Sequence, residues 1–469
     1  MAEQLPTATF LGIDTSRVQV AAGKKAVEAV GLKNVELREQ DILDFSGTEG
    51  KFDYIIVHGI YSWVPDAVRE RIMTICSDHL SDTGIAYISY NAHPGWSMRQ
   101  SLRDMMLFHT RNITDSKSKV QQARALLAFL ADSVPTENNA YGILLKNESS
   151  LMSGLSDNYL LHDILGAENT AFYFHEFVEA AGRHGLQYVG EPNVAEMLAT
   201  NFPERVRGTL AQLNNQIVAQ EQYMDFLRNR SFRQTLLCSA KVKLQRNLSP
   251  ESLNRFAFRS LLLRASGPVE LVPGMNVTFV GSGGAQITSS DAFVKALLLA
   301  LVETRGVAAI SFTELLASAR SRSRPFVGEL PENANQVEEL TALTNLLNLL
   351  AKGFIELYAE PVGVRTDVPE KPLVSTLTRY QALNARLLTN RIHYSVPADL
   401  ASRYVVAACD GQRTRDGIVE NLVERVTAGQ FQVNEGSVKI TEEAKIRALL
   451  APTVDIALKL MGESGFFSS

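Results

Sequence analysis

Short apolar runs alternate with amphipathic helical patterns over the first part of the chain. The apolar runs predict strands at about residues 9–13, 34–38, 52–57 and 85–90. Helices are predicted between Asp14 and Gly31 and at about residues 68–80. Because crossover helices cover both faces of such a sheet, this alternation predicts an α/β fold with a parallel, doubly wound sheet.

Ligands of a doubly wound sheet bind outside the carboxyl ends of its strands, so the residues just past each strand are candidate site residues. They are residues 14–16, 40–42, 58–63 and 90–96. An acid at a strand end accepts hydrogen bonds from both hydroxyls of a ribose, and Asp14 has that position. Asp41 is placed to accept from an adenine amino group while Ile42 packs on the ring. The structural alternatives are that Asp14 or Ser16 caps the next helix and that Asp41 closes a turn before Leu43.

The stretch that holds both acids resembles the second and third motifs of class I S-adenosylmethionine-dependent methyltransferases; it reads FLGIDTSRVQVAAGKKAVEAVGLKNVELREQDILDF. YSWVPD and SYNAHPGW resemble the members that carry a methyltransferase regulatory domain. The most specific part of the likeness is YLLHDILGAENTAFYFHEFVEAAGRHGLQYVGE, residues 159–191. Relatives include bacterial protein lysine methyltransferases, among them those acting on rickettsial outer-membrane proteins.

The resemblance implies S-adenosyl-L-methionine as the cofactor and a protein lysine as the methyl acceptor. It implies Asp14 as the acid that binds the ribose and Asp41 as the acid that binds the adenine. Ser16, Ile42 and His58 lie at the same strand ends and complete the predicted cofactor-binding residues.

One part of the family pattern is missing. A glycine-rich first motif, which gives close backbone approach to the methionine part of the cofactor, should precede Met1. MAEQLPTATFLGID resembles the interior of the family's first helix running into its second strand, and a wrongly chosen start codon or a truncated gene would each explain it. We therefore predict a Rossmann-like sheet that lacks its first strand and binds the cofactor weakly. The alternative is a non-catalytic regulatory or dimerisation remnant.

Methyl transfer from a sulfonium is an in-line displacement, so the enzyme has to align the nucleophile with the methyl group and exclude water. An amine acceptor also has to lose its proton, and aromatic walls with amide acceptors can hold an alkylammonium beforehand. Tyr61, Trp63, Tyr90 and Asn91 supply such groups and are the predicted catalytic residues. Core packing is the alternative for the tryptophan. His58 either acts as a base or closes its strand with a hydrogen bond, and the second is favoured.

Changes of pattern along the chain predict five segments. They are a methyltransferase core at 1–97, a helical regulatory and dimerisation insert at 98–185, late strands completing the core at 186–243, a winged-helix-like domain at 249–360 and a C-terminal helical domain at 373–469. The GSGG run at Gly281–Gly284 lacks the Lys-Ser/Thr of a phosphate loop and is predicted to be a hairpin turn.

Composition narrows the classes of function. The chain has 46 Lys+Arg against 51 Asp+Glu, which gives no general attraction to nucleic acid. Its 3 cysteines have no CxxC spacing and encode neither a disulfide framework nor a zinc site. No apolar run is long enough to cross a membrane, so no membrane partner is expected. The cysteine usage predicts a cytoplasmic protein, and no metal is expected. A protein lysine is the expected partner, a homodimer is a further option, and a small molecule is the alternative acceptor.

Overall fold

The computed structural model describes residues 1–213, 216–281, 284–327, 331–436 and 438–468, with the backbone alone at residues 263–264. The chain divides into two compact units. The first unit joins Met1–Glu39 to Asn247–Ser469, and the second is Gln40–Arg246.

The N-terminal strands form a small parallel sheet. Strand β1 spans Phe10–Asp14, helix α1 spans Arg17–Val30 and strand β2 spans Val35–Glu39. The two strands pair in parallel, with Asp14 opposite Glu39 at their carboxyl ends. Gly31 ends α1 with a φ of 79°, a left-handed conformation that glycine adopts without a Cβ clash. The predicted β-α-β order of this segment is confirmed.

The second unit contains a larger sheet and most of the helices near it. Its strands are β3 (Phe52–Val57), β4 (Leu80–Ala92), β5 (Ala171–Phe172), β6 (Leu186–Gly190) and β7 (Phe232–Ser239). Its α-helices are α2 (Asp66–His79), α3 (Gly95–Thr110), α4 (Ser116–Ser133), α5 (Ala140–Ser153), α6 (Asp157–Tyr159), α7 (Phe174–Arg183), α8 (Val194–Met197), α9 (Glu204–Ala211) and α10 (Ile217–Arg228). Single turns of other helix types lie at Ile42–Asp44, Tyr61–Trp63, Leu160–Ile164 and Ala199–Asn201.

The larger sheet has the strand order β3-β4-β7-β6, with β5 paired to the end of β4. Strands β3 and β5 run parallel to β4, whereas β7 runs antiparallel to β4 and β6. The Rossmann-like α/β class is confirmed, but the expectation of a wholly parallel sheet is wrong. The reason is that β7 begins beside the carboxyl end of β4, where Ala92 N donates to Ser231 O at 2.9 Å. Among the described residues, β1 and β3 belong to separate sheets.

Two apolar cores stabilise the second unit. The first lies against the larger sheet and is built from residues such as Val57, Ile72, Ile88, Tyr90 and Phe177. The second lies among α3, α4 and α5 and the turn at Leu160–Ile164, around Trp96, Leu102, Leu127 and Leu145. Burial of such side chains contributes about 1.5–3 kcal/mol each to folding.

The remainder of the first unit consists of short strands and helices. The strands are β8 (Ala257–Ser260), β9 (Leu262–Ala265), β10 (Val277–Gly281), β11 (Gln286–Ser289), β12 (Ala309–Ser311), β13 (Ile355–Tyr358), β14 (Val364–Arg365), β15 (Leu387–Thr389), β16 (Ser395–Pro397), β17 (Asn434–Glu435), β18 (Val438–Lys439) and β19 (Phe467–Ser468). The helices are α11 (Ala292–Glu303), α12 (Phe312–Ser323), α13 (Ala334–Ala351), α14 (Thr376–Asn384), α15 (Leu400–Ala408), α16 (Arg415–Thr427) and α17 (Glu443–Glu463).

Strand β8 lies between β12 and β13, and β10 lies between β9 and β11, with antiparallel pairing throughout. The GSGG run falls between β10 and β11, as a hairpin requires, although residues 282–283 lie outside the described part of the chain. A third apolar core joins α14, α15, α16 and α17 around Val405, Leu422 and Val454.

The first residues of the chain are bonded to this C-terminal region of the same unit. Glu3 Oε1 accepts from Thr376 N at 2.9 Å, and Gln4 Nε2 donates to Arg391 O at 3.0 Å. Within the described ranges, no helix combines the length and the apolar character needed to cross a bilayer.

Candidate functional site

Asp14 and Ser16 form the turn between β1 and α1. Ser16 N donates to Asp14 Oδ1 at 2.7 Å, and Gln19 N donates to Ser16 Oγ at 3.4 Å, so Ser16 is the N-cap of α1. The carboxylate of Asp14 is exposed at the carboxyl end of its strand. The capping alternative therefore describes the contacts of both residues, while the second carboxylate oxygen of Asp14 stays accessible to a ligand.

Asp41 has an equivalent position two residues after β2. Its Oδ1 accepts from Leu43 N at 2.9 Å and begins the single turn Ile42–Asp44. Asp41 is exposed and Ile42 is partly buried against the apolar core of the second unit. The predicted turn is present, and Asp41 keeps one oxygen free of that turn.

His58 follows β3 directly and is exposed. Its Nδ1 lies 3.1 Å from the hydroxyl of Tyr87 on β4, and the two rings are 5.8 Å apart. The next residue, Gly59, has a φ of 70° and donates its N–H to Ser89 Oγ at 2.9 Å. These bonds join the loop after β3 to the neighbouring strand through the side chains of Tyr87 and Ser89, and the role of His58 stays a prediction.

Tyr61 and Tyr90 are brought together inside the core. They are 3% and 0% exposed, with ring centroids 6.3 Å apart, and Phe177 lies 4.1 Å from Tyr90 in a stacked arrangement. The hydroxyl of Tyr90 lies 3.2 Å from Thr235 Oγ1 on β7. Burial raises the pKa of Tyr61 to about 12 and that of Tyr90 further, so both phenols stay neutral at physiological pH. The structure places these two predicted residues beneath the surface.

Trp63 bonds the backbone carbonyl of Asp163 directly, and Asn91 is connected to the same carbonyl through Asn169. Trp63 Nε1 donates to Asp163 O at 3.0 Å, while Asn91 Nδ2 donates to Asn169 Oδ1 at 3.0 Å. Asn169 Nδ2 in turn donates to the same Asp163 oxygen at 2.6 Å. The three segments that carry the family resemblance after β3, after β4 and near residue 163 are thus held in one hydrogen-bond network.

Ser62 also belongs to this network; it lies within the candidate residues 58–63, but the sequence assigned no role to it. It is 0% exposed, its Oγ accepts from Asn91 N at 2.8 Å, and its carbonyl accepts from Thr170 N at 2.8 Å. The sequence feature that could have indicated its role is its position between Tyr61 and Trp63. A small hydroxyl residue at that position can bond two chain segments at once.

A buried charge cluster under the sheet was also missed. Arg233 is 0% exposed and donates to Asp225 at 2.8 and 2.9 Å, to Glu191 at 2.7 Å and to Glu221 at 2.9 Å. Its guanidinium lies 3.9 Å from the centre of the Phe174 ring. Burial raises the pKa of Glu221 to about 7, although Arg233 opposes that shift. The signal in the sequence was an arginine inside the predicted strand that becomes β7, ahead of its apolar Leu-Leu pair.

No group of three or more His, Cys, Asp or Glu within the described residues has the geometry of a metal site. The three cysteines are free and buried, and burial raises the pKa of Cys76 to about 12.

Three family models match separate parts of the chain. A methyltransferase domain matches residues 1–84, a predicted methyltransferase regulatory domain matches residues 156–239, and a PKMT C-terminal winged helix domain matches residues 370–466. The winged-helix match falls on the segment predicted as a helical domain, whereas the winged-helix-like unit was predicted at 249–360. The regulatory-domain match overlaps the predicted insert at residues 156–185 and continues to residue 239.

Relatives and a solved structure are similar to the chain over different shares of its length. The uncharacterized protein RP789 of Rickettsia prowazekii (strain Madrid E) is 33% identical over 461 residues, which is 96% of this chain and 82% of that protein. RP028 of the same organism is 43% identical over 180 residues, 38% of this chain and 72% of that protein. The structure of PKMT2 from Rickettsia typhi in complex with AdoHcy is similar over 100% of this chain and 91% of that chain, with a TM-score of 0.84 and 30% identity.

The fold and these matches define an S-adenosylmethionine-dependent methyltransferase. More narrowly, the chain belongs to the family that joins a class I methyltransferase domain to a methyltransferase regulatory domain and a PKMT-type winged helix domain.

Proposed function

We propose that this methyltransferase transfers the methyl group of S-adenosyl-L-methionine to the side-chain amine of a lysine in a protein. The observation that carries this proposal is the similarity to PKMT2 of Rickettsia typhi over the whole chain, since that protein was solved in complex with AdoHcy. The uncomplexed structure of the same protein matches with the same TM-score of 0.84.

The ends of β1 and β2 each carry an acid of the kind that an adenosine ligand requires. Asp14 and Asp41 each keep an exposed carboxylate at a strand end, and in each case one oxygen is fixed by a backbone N–H of the following turn. Asp14 would accept from the ribose hydroxyls and Asp41 from the adenine amino group, with Ile42 against the ring. Ser16 caps the helix after Asp14, and His58 at the end of β3 stays a proposed cofactor-binding residue.

When bound, the cofactor supplies an electrophilic methyl group on a sulfonium. The residues of the chain then have to position the amine and keep water away from it. Because Tyr61, Tyr90 and Asn91 are buried and Trp63 is held by Asp163, we assign these four as residues that position the loops after β3 and β4. Removing one of them should displace the loops rather than remove a group that contacts the acceptor.

The test measures transfer of radiolabelled methyl groups to separate pools of protein, RNA and small molecules. Asp14→Asn and Asp41→Asn keep the side-chain oxygen that accepts from the turn N–H but lose the negative charge. They therefore test the role of the charge in cofactor binding without removing the turn contact. Loss of a hydrogen bond to a charged group should raise the KM for the cofactor by roughly 10- to 150-fold. Asp44→Asn, an exposed acid in the same turn as Ile42, is the matched control and should change nothing.

Label appearing on small molecules and not on protein would contradict the lysine assignment. Label on protein that survives acid hydrolysis as methyllysine supports it. The domain boundaries, a homodimer and a cytoplasmic location are further proposals, and analytical ultracentrifugation of the purified chain tests the homodimer.

A further inference from the structure

A group of partly exposed rings lies beyond the carboxyl end of β4, outside the buried tyrosines. It consists of His93, Tyr173, His175, Tyr223 and Phe226, and we call it the aromatic patch. His93 is fixed to the sheet because its N–H donates to Phe172 O at 3.0 Å. The patch therefore belongs to the same strand ends as the candidate site, and all five residues lie in the second unit.

The rings of the aromatic patch contact one another in series. The Tyr173 ring lies 5.0 Å from His93, 5.7 Å from His175 and 6.2 Å from Phe226, and Phe226 lies 5.8 Å from Tyr223. Tyr223 and Phe226 on α10 are 50% and 47% exposed. Exposed aromatic surface of this kind marks a binding site, and its π-faces attract alkylammonium groups.

His93 has one ring nitrogen engaged and one available. Its Nδ1 lies 2.8 Å from Ser97 Oγ at the start of α3, which fixes the plane of the ring. Within the described residues, Nε2 makes no hydrogen bond. In the tautomer in which Nδ1–H donates to Ser97 Oγ, Nε2 keeps its lone pair and can accept a proton.

The surroundings of His93 favour the neutral ring. Partial burial lowers the pKa of His93, and Glu176 on α7 is the charged group that opposes this shift. The other contacts are Ser97 from α3 and the ring of Tyr173, neither of which carries a charge at neutral pH. Glu176 is itself exposed and also caps α7 by accepting from Tyr173 N at 2.9 Å.

We infer that the aromatic patch receives the alkylammonium of the methyl acceptor and that His93 Nε2 removes its proton before transfer. This inference rests on the proposed function. The ammonium gives one proton to the neutral imidazole, and the freed nitrogen lone pair forms the new N–C bond. The C–S bond breaks with its electron pair on sulfur, so the neutral thioether leaves. The imidazolium then releases the proton to solvent through its exposed edge.

The experiment uses the full chain with Nα-acetyl-lysine methylamide as the acceptor probe. His93→Gln keeps a polar side chain near Ser97 but cannot take up a proton, and kcat should fall by roughly 10²- to 10⁴-fold. The low-pH limb of kcat/KM should vanish with it. Tyr173→Leu should raise the KM for the probe by roughly 2- to 30-fold with little change in kcat. His109→Gln, on the exposed side of α3, is the matched control and should leave both constants unchanged.

A second measurement keeps the inference testable if the His93 variant unfolds. The pKa of His93 in the wild-type chain is measured from its Cε1 proton by NMR, and it should coincide with the low-pH limb of the wild-type kcat/KM. If these two values differ, or if His93→Gln keeps both rate and pH profile while the wild type methylates lysine, the inference is wrong and the proposed function stands. If the wild type transfers no methyl group to lysine, the proposed function is wrong and the inference is lost with it.

Discussion

Replacing Arg233 with methionine is the perturbation whose effect the structure defines most sharply. Arg233 is fully buried and is the only residue that bonds all three of Glu191, Glu221 and Asp225 among the described ion pairs. Methionine retains much of the apolar length, but Glu191 and Asp225 then keep only their longer ion pairs with Arg230. Glu221 loses its ion pair. Breaking a buried ion pair by removal of one partner costs about 3–5 kcal/mol.

The expected loss should depend on pH, which separates an electrostatic cause from lost packing. Without Arg233 the folded-state pKa values of the three carboxyls rise further, because the group that lowered them is gone. A carboxyl with a raised folded-state pKa binds its proton more tightly in the native state, so its stabilising contribution is lost as the pH rises. The variant should therefore lose more free energy of unfolding at pH 8 than at pH 5.

Thermal unfolding measured at both pH values is the assay. At about 2–4 °C per kcal/mol for a unit of this size, the midpoint should fall by roughly 6–20 °C at pH 8 and by clearly less at pH 5. Arg322→Met, which breaks an exposed pair with Glu303, is the control and should cost about 0–1 kcal/mol. An equal fall at both pH values, or a fall no larger than that of the control, would refute the reasoning.

Three further substitutions test other contacts. Glu221→Gln removes a carboxyl whose pKa rises from 4.5 to about 7 in the folded state. The unfolding midpoint of the variant should therefore fall less between pH 4.5 and 7 than that of the wild type, and an equal fall contradicts this. Trp63→Phe keeps a ring but loses its N–H donor, and urea unfolding should show a loss of about 0.5–1.5 kcal/mol. Gly95→Ala would place a Cβ 2.2 Å from Asn229 O and should lower the melting midpoint, whereas Gly208→Ala has open space and should not.

The exposed part of the candidate site could be predicted from the sequence because it depends on local geometry. Asp14 ends β1, Asp41 lies two residues after β2 and His58 directly follows β3. The rule that strand ends face a ligand needs no knowledge of distant residues. The turns that fix the two acids are equally local, since each acid accepts from an N–H two residues later. These contacts leave the three side chains exposed to a ligand, and their roles in binding stay predictions.

The buried part could not be predicted in this way because distant segments create it. Trp63 bonds a carbonyl 100 residues later, and Tyr90 bonds a side chain 145 residues later. Phe177 covers both Tyr61 and Tyr90, and the helical pattern of its own segment shows only that one face is apolar. The antiparallel direction of β7 has a similar origin, since it depends on where α10 delivers the chain.

The segment SYNAHPGW contributes residues both to the buried core, the inner layer, and to the partly exposed aromatic patch, the outer layer. Tyr90 packs into the core and Asn91 bonds the network around Asp163, whereas His93 lies past the strand end beside the exposed ring of Tyr173. Substitution in the inner layer removes buried contacts and therefore acts first on stability. Under the inference drawn above, substitution in the outer layer leaves the core intact and acts on binding of the acceptor. A variant's melting midpoint and its KM for the acceptor should consequently change independently across these few neighbouring residues.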